Sequence, residues 1–401
     1  MGLPLPHFCP LPFHDALATY LQKEEPETWV WFASAQVQLD YAESLRLDLL
    51  KKTYRLEPQA YPDVFAALGE ALTKLGLEVP ATLYQSQSNR ESNAALCYLP
   101  GEAHVVFEGS LLQSLNPQEL RALLGHELAH YRLWSEQGQR YLIADRIIQA
   151  MAGDSRAEPS HVESARLMRL YTEIYADRGS FLVTGEAAPA IACLLKTSTG
   201  LQQVDVDSYL RQADEIFSKS KVRTEGLSHP ESFIRARALS LWAAGTNEVE
   251  SEITRMIEGP VALDRLDLLG QARLTERTRR WLQLHLRALW FQTEPVRAQA
   301  RLYFEDFTFP PETHDDNSLL VELREAENDV RDYFCYTLLD FAVADPDLEE
   351  EPLKAAFALA HRLDWDDRLE ALTVKELKYK KRDAQRLRTE AIPAAPEEAK
   401  S

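Results

Sequence analysis

Leu115-Asn116-Pro117-Gln118-Glu119-Leu120 runs straight on into Gly125-His126-Glu127-Leu128-Ala129-His130. The first six residues carry helix-start signals together: Asn at the cap, Pro at the first helical position, Glu three residues after the cap, and a Leu115/Leu120 pair able to staple the first turn. The helix predicted from them runs over residues 117–135. Four residues advance an α-helix by about 400°, so His126 and His130 project from one face and can converge on one ion. Two neutral imidazoles hold Zn²⁺, while Glu127, next to that face, is placed to take a proton from a water that the metal polarises. The stretch therefore predicts one Zn²⁺ per chain, with His126 and His130 as ligands and Glu127 as general base.

Zinc used in catalysis needs a third protein ligand, with the fourth position left to water. Glu173-Ile174-Tyr175-Ala176-Asp177 lies on a second strongly helical stretch, 161–183, and its two carboxylates are four residues apart, so both can face the first helix. Glu173 is the chosen third ligand, with Glu163 the next candidate. Asp177 is expected to accept a hydrogen bond from the non-ligating nitrogen of a zinc histidine, fixing its orientation and raising its basicity.

The 401-residue chain has a formal charge of −19, which repels nucleic acid and anionic membranes, and no basic stripe offsets it. No uncharged apolar run reaches the roughly 18 residues of a spanning helix. The N-terminus shows no basic leader, so a cytoplasmic address is expected. Cys9, Cys97, Cys193 and Cys335 are far apart and form no CxxC pair, and they are read as buried, reduced thiols.

Along the chain, residues 1–55 read as an N-terminal helical segment, and a helix over 62–75 should stop at Gly76. Residues 81–84, 93–98 and 103–107 are short β-prone runs separated by polar or Pro-Gly turns, which predicts a small sheet before the motif helix. Further helices are expected at 141–152, 187–198 and 205–217. The fold class is α+β, mostly helical, with an all-α C-terminal region. The domain reading is 1–55, a zinc-binding unit over 56–245, a helical bridging region over 246–318, a helical domain over 319–390 and a disordered tail over 391–401. The strand holding Asn93, Ala94 and Ala95 is a candidate substrate-binding edge, since an exposed strand beside a zinc site can pair with an extended peptide.

From about Tyr54 to Leu239 the chain resembles peptidase family forty-eight of the metallo class, the HtpX and CAAX prenyl endopeptidase relatives, which are gluzincins. Ser92-Asn93-Ala94-Ala95 is similar to the family's strand before the active helix, Gly125 to His130 to its Gly-His-Glu-Leu-Ala-His core, and Glu173 to Asp177 to its Glu-Tyr-Glu-Ala-Asp. The resemblance implies a zincin-like peptidase core. Ser228-His229-Pro230, with Arg235 downstream, resembles the family's Thr-His-Pro segment. It implies that His229 and Arg235 steady the oxyanion of the tetrahedral intermediate, or that His229 fills the open zinc position and holds the enzyme inactive. The chain shows neither the spanning helices nor the signal peptides of other members, so it resembles a soluble branch.

The C-terminal helical region, 330–381, is similar to TerB-like domains. Asp345, Asp347 and Glu349 lack the spacing and glycine of a calcium loop and read as a capped helix start. The expected function is a zinc endopeptidase acting on extended or unfolded protein segments. The alternative is a latent or non-catalytic zinc-containing adaptor that binds a protein partner through its C-terminal region.

Overall fold

The computed structural model describes residues 8–87, 92–219, 222–245, 248–259, 261–324 and 326–392, the side chains of 35–41 excepted. From residue 393 on, the expected disordered tail lies outside them. The chain divides into two compact units, Met1–Gly259 and Pro260–Ser401. This break falls inside the stretch read as a bridging region.

The first unit begins with α1 (Pro12–Glu24), α2 (Pro26–Phe32) and α3 (Ala35–Lys52), the first two opening on proline. One expectation is corrected here, because the helical segment does not run to residue 55. Thr53 turns its hydroxyl back onto Leu49 O at 2.6 Å, and Thr53–Arg55 become strand β1, antiparallel to β2 (Ala81–Ser86). After α4 (Pro62–Lys74), which ends at Gly76 with φ +64°, come β3 (Asn93–Leu99) and β4 (Glu102–Glu108). The sheet order is β1-β2-β4-β3, with β2 parallel to β4 and β3 antiparallel to it. Strand β3 is thus an edge.

Alternation along the strands gives the sheet two apolar faces. Leu83, Val105 and Phe107 join the main core, while Tyr84, Val106 and Cys97 pack under Leu45 and Leu49 of α3. The helices that follow are α5 (Leu111–Ser114), α6 (Pro117–Ser135), α7 (Arg140–Gly153), α8 (Pro159–Thr184), α9 (Ala187–Thr199), α10 (Val206–Lys219), α11 (Ser232–Ala244) and α12 (Val249–Glu258). Helix α12 packs on α8 and α11.

Helices α6 and α8 cross backbone to backbone. A Cβ placed on Gly179 would stand 2.4 Å from Ala129 Cβ and 2.8 Å from Gly125 O, and one on Gly125 would meet Gly179 O and Val183 at 3.0 Å. No side chain fits between the helices there. The far side of α8 is covered by the N-terminal residues, where Phe8 stacks on Tyr175 and Phe13 on Tyr171, with centroids 4.3 and 4.7 Å apart.

The second unit is all helical: α13 (Leu268–His285), α14 (Glu294–Tyr303), α15 (Asn317–Arg324), α16 (Asn328–Ala342), α17 (Glu351–His361), α18 (Asp366–Glu376) and α19 (Lys381–Ala391). Its core is built on Trp281, Phe334, Phe357 and Trp365, with Trp281 Nε1 donating to Phe334 O at 3.3 Å. Asp345 caps the short turn Pro346–Leu348 by accepting from the Asp347 amide at 3.1 Å.

The cysteine reading needs a correction too. All four are free, but Cys9 is exposed and Cys97 half-buried, leaving only Cys193 and Cys335 buried. Cys9 precedes the first helix, where nothing in the sequence pattern sets burial. Among the described residues no helix is long and apolar enough to cross a membrane.

Candidate metal centre

Helix α6 begins on a complete capping box. Asn116 Oδ1 accepts from the amides of Gln118 and Glu119, and Glu119 Oε2 accepts from the Asn116 amide at 2.8 Å. Lys196 of α9 donates to the same Glu119 oxygen, also at 2.8 Å, in a pair that is almost fully buried. The helix start, and hence the phase of everything after it, is pinned from both sides.

Two and a half turns on, His126 Nε2 and His130 Nε2 stand 3.2 Å apart. Glu173, brought over by the α6/α8 crossing, places Oε2 3.4 Å from His126 Nε2 and Oε1 3.6 Å from His130 Nε2. These three side chains are the only group of metal-binding type found among the described residues, with donor atoms within 4.8 Å of one another. A tetrahedral zinc with ligands at its usual distances separates its donors by about 3.3–3.5 Å. The His126–His130 spacing and the His126–Glu173 Oε2 spacing are close to that value, while the 3.6 Å to His130 runs from the other Glu173 oxygen.

Asp177, one turn beyond Glu173, lies 3.1 Å from His126 Nδ1. It is itself held by Arg235 of α11, whose Nε and Nη2 donate to its two oxygens at 2.7 and 2.6 Å. The same Nη2 lies 3.5 Å from Glu173 Oε2. His229 sits in the loop before α11, largely exposed, with Nδ1 2.9 Å from Ser228 Oγ and Nε2 3.6 Å from Glu173 Oε2. Glu163, the other candidate ligand, is elsewhere and pairs with Arg166 and Arg223.

The electrostatics follow from this packing. Burial disfavours a charged His126, yet its hydrogen bonds to Asp177 and Glu173 outweigh that and hold its pKa well above the usual range. Burial also opposes the Glu173 charge, but His126, Arg235 and His130 together keep it an anion. A cation entering this group displaces the proton on His126, so metal binding releases a proton. Burial pushes Glu127 up and the Glu173 charge adds to it, while His126, the Leu96 amide and Arg235 pull it down, leaving the carboxyl raised to about 7.

A cleft of about 1050 Å³ opens over the group, lined by Ser92 to Leu96, by residues of α9, and by His229 and Pro230. Asn93 and Ala95 are exposed and Ala94 buried, as alternation along an edge strand requires. Sequence reasoning missed the α9 wall and Trp134. The spacing Ala190, Cys193, Leu194, Thr197 marks one face of α9, but nothing in it says which surface that face covers.

Residues 58–243 match the model of peptidase family M48. The chain is 27% identical over 198 residues to the plastoglobule-localized metallopeptidase 48, chloroplastic, of Arabidopsis thaliana, an alignment covering 45% of this chain and 57% of that protein. The chain thus spans little more than half the length of that relative. No solved structure matches it. The matched segment encloses His126, His130 and Glu173 on their two crossing helices, so the stretch that holds the group is similar to peptidase family M48, whose metallopeptidases are zinc-dependent.

Proposed function

We propose that this chain is a zinc-dependent endopeptidase that cuts extended segments of unfolded protein. The observation that carries the reading is the convergence of His126, His130 and Glu173 at zinc spacing beside a buried Glu127, on the floor of a cleft bordered by an edge strand. Bound Zn²⁺ supplies the Lewis acid that polarises water and the scissile carbonyl.

The chain's own residues do the rest. The open edge of β3 pairs with the substrate main chain, so recognition needs an extended backbone more than a particular sequence. Glu127, poised near neutrality, takes a proton from the attacking water and passes it to the leaving amine. His229, exposed at the cleft wall and outside the three-donor group, donates to the developing oxyanion. Arg235 acts through Asp177 and Glu173, holding both carboxylates charged and aimed.

The test is cleavage of a reduced, unfolded protein by purified chain of known zinc content. About one zinc per chain is expected, with cleavage abolished by a chelator and lowered about 10²–10⁴-fold in Glu127→Gln. Wild-type cleavage by the Glu127→Gln protein would overturn the mechanism.

A further inference from the structure

The arm that carries His229, residues 222–231, contains neither helix nor strand, yet its main chain is tied along its length. The Thr224 amide donates to Met256 O of α12 at 2.9 Å, and the Glu225 amide donates to Glu231 Oε1 at 2.9 Å. Thr224 Oγ1 accepts from the Gly226 amide at 3.2 Å and donates to Glu231 Oε2 at 2.6 Å. The turn then folds back on itself, for a Cβ on Gly226 would stand 2.0 Å from His229 O. Only glycine fits beneath that carbonyl.

The remaining fastening comes from α8. Arg166 Nη1 donates to Gly226 O at 2.9 Å and Arg169 Nε to Leu227 O at 3.2 Å, so two arginines one turn apart take two successive carbonyls just before His229. Each guanidinium is itself held. Buried Arg166 forks onto both Glu163 oxygens at 2.8 and 2.7 Å, and Glu163 also accepts from Arg223 Nη2 at 3.2 Å. Arg169 Nη1 donates to Gln149 Oε1 of α7 at 2.5 Å. A planar guanidinium fixed on one side presents its remaining N–H in one direction. Arg166, Arg169, Glu173 and Asp177 follow one another at spacings of three, four and four residues, a single stripe along α8. The arm and the metal group are therefore referenced to the same helix, and His229 Nε2 comes 3.6 Å from Glu173 Oε2.

Resting on the peptidase reading above, we propose that Arg166 and Arg169 are positioning residues of this reaction, holding the main chain of the arm so that the His229 imidazole stands where the oxyanion develops. Neither touches the reacting atoms; both act through the Gly226 and Leu227 carbonyls. A largely exposed histidine on an unbraced loop would spread over many orientations, and a hydrogen-bond donor lowers the barrier only when it is already aimed. Glu163 and Gln149 serve the two arginines.

Arg166→Met and Arg169→Met, each alone and each on His229→Ala, test this with a reduced, unfolded protein as substrate. With His229 present, either should lower kcat about 10–10²-fold while KM and zinc affinity stay as they were. On His229→Ala neither should lower it further, because the group they aim is gone. Arg169→Lys, which can still donate to Leu227 O, should recover part of the loss. Independently of turnover, hydrogen exchange followed by mass spectrometry should speed up about tenfold in peptides covering residues 222–231 and stay unchanged in α6. Should Arg166→Met fail to fold, the half-buried Arg169 decides. An equal loss of kcat in both backgrounds, an unmoved kcat in the folded variants, or unchanged exchange over 222–231 overturns the positioning role and leaves the peptidase reading standing. No chelator-sensitive cutting by wild type overturns both.

Discussion

Arg235 grips Asp177 with two hydrogen bonds, Nε to Oδ2 and Nη2 to Oδ1, and that same Oδ1 faces His126 Nδ1 at 3.1 Å. The guanidinium therefore orients His126, a proposed zinc ligand, through one carboxylate. Arg235→Met should weaken zinc binding about 10–100-fold in competition with a chromophoric chelator, and Arg235→Lys should restore only part of it, because an ammonium cannot fork both oxygens. Unchanged zinc affinity in a folded Arg235→Met protein would show that Asp177 needs no such support.

Gly179 gives the second prediction. In Gly179→Ala the new methyl meets Ala129 Cβ and the Gly125 carbonyl, so α8 must move away from α6 and take Glu173 with it. A destabilisation of about 1–3 kcal/mol is expected, with a lower melting temperature and weaker zinc retention. Gly153→Ala, where a Cβ meets nothing within 4 Å, is the control and should leave both as they were. Equal behaviour of the two variants would contradict the close crossing.

His229 is the third. As an oxyanion donor, its replacement by Ala should lower kcat about 10²–10³-fold with little change in KM or zinc content. A rise in activity would instead identify it as a plug over the metal.

The fourth concerns acid. His285, buried in the second unit against Phe291 and Phe341 with neither ring nitrogen partnered among the described residues, is lowered by burial to about 3. His14, buried in the first unit, is likewise lowered to about 3 by burial, and its Nδ1 accepts the Leu11 amide at 3.2 Å. Both are neutral when folded and take up a proton near 6.5 when unfolded. Their contribution is complete above that pH and is lost as pH falls toward 3, by about 2 kcal/mol each at pH 5. Melting at pH 7 and pH 5 should show the loss, and His285→Leu should flatten the pH slope of the second unit alone. An unchanged slope would mean that His285 does not set it.

Much of the site could be read from the chain because its determinants are local. Asn116, Pro117 and Glu119 fix where α6 starts, and the phase of His126 and His130 follows from that start. The four-residue spacing of Glu173 and Asp177 does the same on α8. Strand β1 could not be read this way, since Thr53-Tyr54-Arg55 continues a helical pattern and becomes a strand only by pairing with β2. Nor could the Arg235–Asp177 fork, which joins residues 58 positions apart. The N-terminal residues that brace α8 show the same limit: Phe8 and Phe13 are ordinary apolar residues until Tyr175 and Tyr171 are set opposite them.

Where α6 meets α8, main chain rather than side chain sets the separation, so the ruler for the metal group is the peptide backbone itself. A core spaced by leucines drifts whenever a leucine becomes a valine. This one does not, because Gly125 and Gly179 have no smaller neighbour to mutate to and no room for a larger one. The apolar residues around the crossing can therefore be exchanged, by selection or by design, without recalibrating the distance from histidine to glutamate.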